Sequence, residues 1–541
     1  MSSRRLVITG GPIYTMDPDT PRARAVYVDG ERVVGVVAHD DGATVPADDS
    51  WSVSDLRGRA LLPAFADCHV HLLYTGWHSH DPQLDGATTL SELLDLVKAA
   101  ADSSRGEVVR GWNYDDSGFD RPLTGRDLDS ISSTRPIFLS RIGNAASCVN
   151  SAAMRLFGIS PSIEGVQRNP DGTPNGILLG DANHVALTRL YELMDGSERR
   201  AVFAAGARTA NAAGVTTVHA IEGGTDRQLA GDPPSPNLIL DELVSLELPI
   251  TVIPFDNQVR SLAELDRIAG QGRRHVGGDI FVDGVLGAAY MPGVNRAALF
   301  EPYADGDPGS GHLVIPRNLL SRLIARCAER GLQLSVHAVG DRAIATFLDA
   351  VEDAASSGAD AASLRLRIEH GILPTPHDIE RAGRLGIIFS TQPAFELSAG
   401  GPGKRYERRL GPQRVRRTHP LRELWEAGVC VVGGSDAPVN PIAPLQGIRA
   451  AVQHPFPDHR LSLAQAVSMF TRNAAFAAFG EGDHGTISEG RLADFVVLSD
   501  DLLAIEPDRM DQVRVVETWH RGVRVFDAGE DMERGMNGGR G

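Results

Sequence analysis

Short apolar segments alternate with helix-forming segments along most of the chain, and this alternation is the feature that most restricts the fold. Each of eight such segments is followed by sequence typical of a helix, for example RAIATFLDAVEDAA. Repeated strand-then-helix units favour a parallel sheet, and eight of them predict a (β/α)8 TIM-like barrel. The predicted strands are 60–65, 215–218, 250–255, 280–282, 333–336, 366–369, 387–390 and 429–433.

The interval between the first two predicted strands is far longer than one crossover helix requires. It spans residues 75–213 and contains a further strand-like run at 136–141. We therefore expect a barrel domain over residues 61–485 that carries an inserted subdomain covering the barrel mouth.

Both ends of the chain have the β-branched runs and glycine turns of short strands. Residues 1–60 and 486–530 are predicted to form one small composite β-sandwich domain, because chain ends often lie close together. Hairpins are expected at the DG turn of AVYVDG and at the RG turn of ETWHRGVRV. The polar, glycine-rich residues 531–541 are predicted to be a disordered tail.

Acidic residues outnumber basic ones, with 70 Asp and Glu against 53 Lys and Arg, and the formal net charge is −17. This balance disfavours nucleic acids and anionic membranes as partners, since both need a basic protein face. The cysteines are widely spaced without a CxxC pair, which disfavours a disulfide scaffold. We expect neither a signal peptide nor a membrane-spanning helix, which would need an apolar run of ~18 residues. We expect a cytoplasmic protein that binds a small-molecule substrate. The sequence is compatible with a homodimer and does not decide the oligomeric state.

The local motif with the clearest chemistry is Asp67-Cys68-His69-Val70-His71. Because residues i and i+2 of an extended chain point to the same face, His69 and His71 can present two imidazoles to one cation. Imidazole suits zinc, iron, nickel and copper. Taken alone, the HxH pattern is equally typical of one core histidine and one surface histidine.

Three more candidate ligands follow predicted strands, at the end where barrel active sites are built. His337 closes LQLSVH, His370 closes RLRIEH, and Asp436 follows VCVVGGS. Four histidines and a carboxylate at one face of the barrel predict a metal centre. The alternative is a set of buried histidines that serve only to pack the core.

The sequence contains the phrases DCHVH, SVHAVGDRAI, RIEHG and GGSDAPV and, towards its carboxyl terminus, GTISEGRLADFVVLSD. Together these phrases resemble the amidohydrolase superfamily, and in particular its YtcJ-like branch, which includes N-substituted formamide deformylases. The resemblance covers nearly the whole chain. It implies a distorted barrel with a small β domain made from both chain ends. It also implies a hydrolase acting on non-peptide carbon–nitrogen bonds, such as N-acyl, N-formyl or cyclic amides.

The resemblance implies a role for each candidate ligand. His69 and His71 would bind the more buried of two metal ions. His337 and His370 would bind the second ion, or His337 would join the first site in relatives with one ion. Asp436 would ligate the metal and move a proton from its water to the leaving nitrogen. Asp436, His337 and His370 are therefore the expected catalytic residues, and Zn²⁺ is the expected cofactor.

One position departs from the family pattern in a way that concerns the number of ions. Binuclear relatives carry a carboxylated lysine that bridges both ions, four residues before an Asp-Gly pair. That pair is Asp283-Gly284 here, and the matching residue is Asp279. An aspartate is several atoms shorter and cannot span two ions unless the backbone moves. We predict one tightly bound ion with a weak or absent second one, and a bridging Asp279 is the alternative.

Two further departures lie in the region expected to cover the pocket, where Ala145 replaces a family histidine and Gly180 replaces a family glutamate. Loss of polar groups there predicts a changed substrate or a changed reaction. A metal-dependent lyase, decarboxylase or isomerase of a specialised metabolite is therefore the alternative function. A binding protein without activity is a third reading, which the presence of all five candidate ligands disfavours.

Four residues are predicted to contact the substrate: Trp112, His219, Asp283 and Gln392. Trp112 is also typical of ordinary packing. His219, which follows the second predicted strand, is alternatively a residue that supports the ligands. The shape of the pocket depends on the insertion and on long loops, which residue spacing does not define.

Overall fold

The structure is a computed structural model. It describes residues 5–39, 50–116, 118–142, 144, 146–223, 237–257, 259, 261–286, 296–306 and 309–529. Ala145 and the predicted tail 531–541 lie outside the described residues.

The described residues contain twenty-one strands, numbered here in chain order. They are β1 (Arg5–Tyr14), β2 (Arg22–Asp29), β3 (Arg32–Ala38), β4 (Ser52–Asp55), β5 (Ala60–Pro63), β6 (Phe65–Val70), β7 (Val109–Tyr114), β8 (Ile137–Arg141), β9 (Ala146–Val149), β10 (Val166–Arg168), β11 (Pro174–Leu179), β12 (Val215–Glu222), β13 (Thr251–Asp256), β14 (His275–Phe281), β15 (Gln333–Ala338), β16 (Arg367–His370), β17 (Ile388–Thr391), β18 (Cys430–Gly433), β19 (Phe495–Leu498), β20 (Val515–His520) and β21 (Val523–Asp527).

The same part of the chain contains seventeen α-helices. They are α1 (Leu72–His80), α2 (Leu90–Ser103), α3 (Gly125–Ile131), α4 (Ser151–Leu156), α5 (Gly180–Leu193), α6 (Gly196–Ala212), α7 (Leu238–Ser245), α8 (Leu262–Gly270), α9 (Arg317–Arg330), α10 (Asp341–Ser356), α11 (Pro376–Leu385), α12 (Phe395–Ser398), α13 (Arg405–Arg414), α14 (Leu421–Glu426), α15 (Pro444–Val452), α16 (Leu463–Met469) and α17 (Arg472–Ala477). None of these described helices combines the length and the apolar character needed to cross a membrane.

Eight parallel strands form a sheet in the order β18-β17-β16-β15-β14-β13-β12-β6. Every residue of β6, β12 and β15 is buried. Burial of whole strands is typical of parallel sheets that helices cover on their outer face. Helix α10 is one such helix, and it buries Ile344, Phe347 and Val351 at helical spacing. The predicted (β/α)8 barrel is confirmed.

The barrel closes between β6 and β18 without a continuous ladder in the described part of the chain. An isolated parallel bridge joins Val70 to Ala437. The amide of Asp436 donates to the carbonyl of His69 at 2.8 Å, and the amide of His71 donates to the carbonyl of Ala437 at 3.0 Å. The loop after β18 therefore closes the barrel, and it does so at the candidate ligands.

Several strand boundaries differ from the predictions. The run 60–65 contains a change of sheet, since β5 belongs to a different sheet and the first barrel strand is β6. The prediction of one strand was wrong because β5 and β6 are both apolar and buried, so hydrophobicity does not mark the point where the chain passes from one sheet to the other. Among the barrel strands that extend beyond their predicted bounds, β12 continues to Glu222, β14 begins at His275, and β15 continues to Ala338. The extensions of β12 and β14 end in the polar residues Glu222 and His275, which the barrel nevertheless buries.

A separate five-stranded sheet, in the order β10-β11-β9-β8-β7, lies in the interval between β6 and β12. Its strand β8 corresponds to the predicted strand at 136–141. Helix α1 precedes this sheet and α6 follows it. The two helices pack so closely that a Cβ atom on Gly76 would lie 2.1 Å from the carbonyl oxygen of Val202. The chain thus leaves the barrel and returns to it at neighbouring points.

Strands from both chain ends form a third sheet, in the order β21-β20-β19-β5-β1-β2-β3, with β4 beside β1. The separate β domain built from both chain ends is confirmed, and its eight strands are hydrogen-bonded into one sheet. Both predicted hairpins occur, with Asp29 paired to Arg32 and His520 paired to Val523.

Stability should depend on pH through His275, which begins β14 and is 7% exposed. Its Nδ1 lies 2.7 Å from Oε1 of Gln333. Burial lowers its pKa from 6.5 to about 4, although the contact with Gln333 opposes this shift. Because the folded pKa is the lower one, this histidine stabilises the folded protein above pH 6.5, and that contribution is lost as pH falls towards 4. The loss amounts to about 3 kcal/mol in full.

We expect the variant His275→Gln to lose stability less steeply than the wild type between pH 6 and pH 4.5. The difference in slope is about 1.4 kcal/mol per pH unit for one proton. Urea unfolding at a series of pH values measures it. Parallel pH profiles for the two proteins would contradict the expectation.

Candidate metal centre

Six side chains from five barrel strands meet at the mouth of the barrel. The carboxyl ends of parallel strands lie at the same edge, so residues distant in sequence become neighbours there. The six side chains are those of His69 in β6, His71 directly after it, Asp279 in β14, His337 in β15, His370 at the end of β16 and Asp436 after β18. The structure brings together all six predicted metal ligands.

The donor atoms of these side chains form three overlapping groups, and within each group the atoms lie within 4.8 Å of one another. The groups are His69, His71 and Asp279; His69, His370 and Asp436; and Asp279, His337 and His370. Nε2 of His69 and Nε2 of His71 each lie 3.4 Å from Oδ1 of Asp436. The arrangement is compact enough for metal coordination.

Each of three imidazoles is oriented by a partner at its Nδ1. Glu369 holds His69, with Oε2 at 2.8 Å. The carbonyl of Ile221 holds His71 at 3.0 Å, and Oε1 of Gln392 holds His370 at 2.7 Å. An acceptor at Nδ1 leaves Nε2 unprotonated and directed away from the partner, which is the state that a metal ligand needs.

The electrostatics of the site favour positive charge next to its carboxylates. Burial acts to lower the pKa of His71, but Asp279 and Asp436 outweigh it and raise that pKa to about 9. Burial likewise opposes protonation of His69, and Asp436 and Glu369 raise its pKa well above 6.5. The same imidazoles hold the pKa of Asp436 well below its usual range, against the effect of burial. A divalent cation meets this demand for positive charge without protonating the ligands.

The other two histidines behave differently. Burial lowers the pKa of His337 well below 6.5, and the neighbouring His370 adds to this effect. Burial also lowers the pKa of His370, against the field of Asp436. Within the described residues, neither ring nitrogen of His337 has a well-aligned hydrogen-bond partner although the side chain is 3% exposed. A buried imidazole without a well-aligned hydrogen-bond partner is suited to a cation or a substrate.

Two site residues have backbone conformations that non-glycine residues rarely adopt. His370 has φ 68° and Asp436 has φ 59°, both in the left-handed region. Such conformations cost energy and persist where the surrounding structure holds them. The amide of Asp436 is held by the carbonyl of His69, as described above, and the preceding Ser435 amide donates to Oδ1 of Asp67 at 2.9 Å.

The predicted substrate contacts have other surroundings. Trp112 lies in β7 of the inserted sheet, is fully buried, and donates from Nε1 to Oδ2 of Asp81 at 3.0 Å. Its ring stacks on Trp77 at 5.3 Å between centroids. These contacts favour the packing alternative for Trp112.

His219 and Asp283 are also fully buried. Nδ1 of His219 lies 2.9 Å from Nη1 of Arg367, inside β12 and three residues before its end. The carboxylate of Asp283 accepts from the amides of Ala298, Val339 and Gly340 at 2.8–3.0 Å. Asp283 thus anchors the loop that follows His337, which favours a structural role over contact with a substrate.

Glu369 and Arg367 were not predicted as site residues, although both lie in the phrase RIEHG. Neither side chain is exposed. Nε of Arg367 donates to Oε1 of Glu369 at 2.9 Å, and Ser335 donates to the same oxygen. The signal was present, since alternate positions of one buried strand were both charged, which requires them to pair inside the barrel.

We expect Gln392→Leu to weaken metal binding about 10- to 100-fold, because His370 then loses the acceptor that orients its ring. Competition against a chelator of known affinity measures the change. Gln392→Glu is the matched control, since it keeps an acceptor oxygen and should bind metal nearly as well as the wild type. Unchanged affinity in Gln392→Leu would show that the contact does not orient the ligand.

Comparisons with known proteins agree with this geometry. Residues 52–526 match the amidohydrolase family. The chain is 28% identical over 539 residues to YtcJ of Bacillus subtilis (strain 168), which covers 96% of this chain and 98% of that protein. It is 26% identical over 549 residues to the N-substituted formamide deformylase of Arthrobacter pascens, covering 97% of this chain and 98% of that one.

A solved structure is similar as well. The crystal structure of an uncharacterized metal-dependent hydrolase from Pyrococcus furiosus superposes with a TM-score of 0.73 at 26% identity, over 92% of this chain and 100% of that one. The family match extends over most of the chain and includes all six side chains at the barrel mouth. The chain therefore belongs to the amidohydrolase family.

Proposed function

We propose that the protein hydrolyses a non-peptide carbon–nitrogen bond of a small molecule, of the N-acyl, N-formyl or cyclic amide type. The observation that carries this proposal is the convergence of four imidazoles and two carboxylates within ligand distance at the barrel mouth. Membership of the amidohydrolase family supports a hydrolase. One relative that matches nearly the whole chain is named as an N-substituted formamide deformylase, which supports the bond type.

We propose Zn²⁺ as the cofactor, because imidazole and carboxylate donors suit it. Ligand atoms ~2.0–2.1 Å from a tetrahedral zinc ion lie about 3.4 Å from one another. The nitrogens of His69 and His71 lie 3.4 Å from Oδ1 of Asp436, so these residues fit the ion. When bound, such an ion would lower the pKa of a water molecule to ~7 and polarise the carbonyl oxygen of the substrate.

Asp436 is placed to move the proton that hydrolysis requires. The attacking water must lose a proton, and the leaving nitrogen must gain one. Oδ1 of Asp436 faces both His69 and His71, and the side chain is 12% exposed, so a water between these groups is within its reach. The carboxylate of Asp436 is ionised, so it has a free lone pair for the proton of the attacking water, and it then returns this proton to the leaving nitrogen.

His337 and His370 lie beside each other, with ring centroids 4.5 Å apart. Burial keeps both rings neutral. His370, whose Nδ1 faces Gln392, can offer the lone pair of Nε2 to a cation, and His337 can offer either a lone pair to a cation or an N–H group to the carbonyl oxygen of the substrate. Glu369 and Gln392 hold the ligand rings in place before a substrate arrives, which lowers the cost of organising the site during the reaction.

We also propose a cytoplasmic location. All four cysteines are free, and three of them are buried, so the fold does not depend on an oxidising compartment.

The test uses the purified protein with a panel of N-formyl, N-acyl and cyclic amides, followed by mass spectrometry of the products. Products together should exceed the substrate by the mass of one water. Removal of metal with a chelator should abolish turnover, and Zn²⁺ should restore it. His69→Ala should be inactive, whereas His377→Ala, an exposed histidine on α11, should behave as the wild type.

A product with the same mass as its substrate would indicate an isomerase, and loss of carbon dioxide would indicate a decarboxylase. Full turnover by the metal-free protein would also exclude the proposed mechanism.

A further inference from the structure

Tyr406, on the first turn of α13, belongs to a buried layer at the mouth of the barrel and has no role in the mechanism described above. We propose that its phenolic O–H group donates a hydrogen bond to the carbonyl oxygen of the substrate, which makes Tyr406 a further catalytic residue. This inference rests on the proposed function.

The layer around Tyr406 is formed by segments that follow four neighbouring barrel strands. It contains Leu299 after β14, Val339 after β15, Ile372 after β16, and Ala399 and Tyr406 after β17. Because the carboxyl ends of parallel strands lie at one edge of the barrel, this layer is at the same end as the metal centre. Tyr406 is 4% exposed, so its side chain lies inside the layer.

The layer contacts the metal centre through α12. Phe395 packs against the layer, and its ring stacks on that of His370 with centroids 6.5 Å apart. The amide of Tyr406 donates to the carbonyl of Ala399 at 2.9 Å, and the amide of Ala399 donates to the carbonyl of Phe395 at 2.7 Å. These two hydrogen bonds fasten Tyr406 to the helix that contacts a candidate metal ligand.

Two tyrosines of this layer use their hydroxyl groups differently. Tyr303, which is 5% exposed, donates to the carbonyl of Ala297 at 2.7 Å. The hydroxyl of Tyr406 has no hydrogen-bond partner among the residues that the structure describes. Because buried polar groups are rarely left unpaired, this hydroxyl is suited to a ligand.

The electrostatic surroundings keep the hydroxyl of Tyr406 protonated. Burial raises the pKa of Tyr406 above its usual range, and the carboxylates of Glu396 and Asp436 add to this effect, whereas Arg405 opposes it. The influence of Asp436 on the hydroxyl agrees with a position beside the metal centre. A protonated phenol can donate a hydrogen bond at neutral pH.

Hydrolysis of an amide needs a hydrogen-bond donor at the carbonyl oxygen, because that oxygen gains negative charge as the water attacks. Asp436 is ionised and has no proton to offer at that stage, and Glu369 and Gln392 hold the ligand rings. The proton of Tyr406 stays on the phenol throughout. The proton that Asp436 takes from the water therefore still accounts for the one that the leaving nitrogen gains.

The test compares Tyr406→Phe with Tyr303→Phe in the full-length protein loaded with Zn²⁺. Tyr406→Phe should lower kcat for the hydrolysed amide about 10²- to 10³-fold, as expected when one donor to the oxyanion is removed. It should also bind methylphosphonate, whose tetrahedral oxyanion imitates the transition state, about 10- to 100-fold more weakly in isothermal titration calorimetry. The zinc content and the melting temperature should not change, because no hydrogen bond within the protein is lost. Tyr303→Phe should keep the wild-type kcat and affinity, since its hydroxyl serves the backbone.

The two measurements separate this inference from the proposed function. Wild-type kcat and wild-type affinity for methylphosphonate in Tyr406→Phe would overturn the role of Tyr406 and leave the hydrolysis standing. Equal losses in Tyr303→Phe would show that the layer acts only through packing, which also overturns the inference. If the wild type hydrolyses no amide but Tyr406→Phe still binds methylphosphonate more weakly, Tyr406 is a donor and the proposed bond type is wrong. A wild type that neither hydrolyses an amide nor binds methylphosphonate would overturn both.

Discussion

Asp436→Asn should lower kcat by about 10³- to 10⁴-fold, because the variant loses general acid–base catalysis. An amide cannot accept the proton of the attacking water or return it to the leaving nitrogen. The change is nearly isosteric, and Asn tolerates the left-handed backbone at φ 59° better than most residues do. We therefore expect the fold to persist and KM to change little, so steady-state kinetics together with the melting temperature measure the effect.

Asp458→Asn is the matched control, because Asp458 is exposed in the loop after α15 and should not affect kcat. Metal content must be measured for both variants, since Asp436 is also a candidate ligand. If metal-replete Asp436→Asn kept the wild-type kcat, the proton would move through another group.

The second large effect concerns stability. Arg367→Met should reduce the free energy of unfolding by about 3–5 kcal/mol, because it leaves a buried carboxylate without its cation. Neither Arg367 nor Glu369 is exposed, and Nη2 of the arginine lies 2.8 Å from Oε1 of Glu369. The same Nη2 donates to the carbonyl of Cys68 at 2.8 Å, so the substitution also removes a hydrogen bond to β6. Urea unfolding at pH 7 measures the loss.

Two comparisons sharpen this expectation. The double variant Arg367→Met/Glu369→Gln removes both charges and should recover much of the stability, since the unpaired charge is the main cost. Arg317→Met breaks exposed ion pairs with Asp349 and Asp353 and should cost about 0–1 kcal/mol. A cost for Arg367→Met as small as that for Arg317→Met would show that Glu369 does not depend on its buried partner.

The barrel could be predicted because eight strand-then-helix units leave few alternatives, and each unit is recognisable from local sequence. The error at residues 60–65 has a physical cause. Both β5 and β6 are apolar and buried, so the point where the chain passes from one sheet to another has no hydrophobic signature. The positions of Glu222 and His275 within strands were missed because a barrel can bury polar groups that have hydrogen-bond partners, here the amide of Leu73 for Glu222 and Gln333 for His275.

The ligands could be predicted because they are histidines and an aspartate at strand ends, where barrels place their active sites. Their supporting contacts could not, because each joins residues far apart in the chain. Glu369 meets His69 across 300 positions, and that contact depends on how the strands are arranged in the closed barrel. The bulge in β14 before Asp279 was equally inaccessible. Gly277 pairs with Ser335 and the next pair is Phe281 with His337, and this register against β15 is not visible in the sequence.

The closure of the barrel has a consequence for laboratory evolution of this protein. The loop after β18 both carries Asp436 and fastens the last strand to the first through its backbone. A Cβ atom on Gly434 would lie 2.7 Å from the amide nitrogen of His69, so the loop has little freedom to accept new side chains. Libraries that randomise this loop should yield mostly insoluble protein. Selections for new substrates should instead diversify the inserted sheet, whose residues can change without opening the seam between the terminal barrel strands.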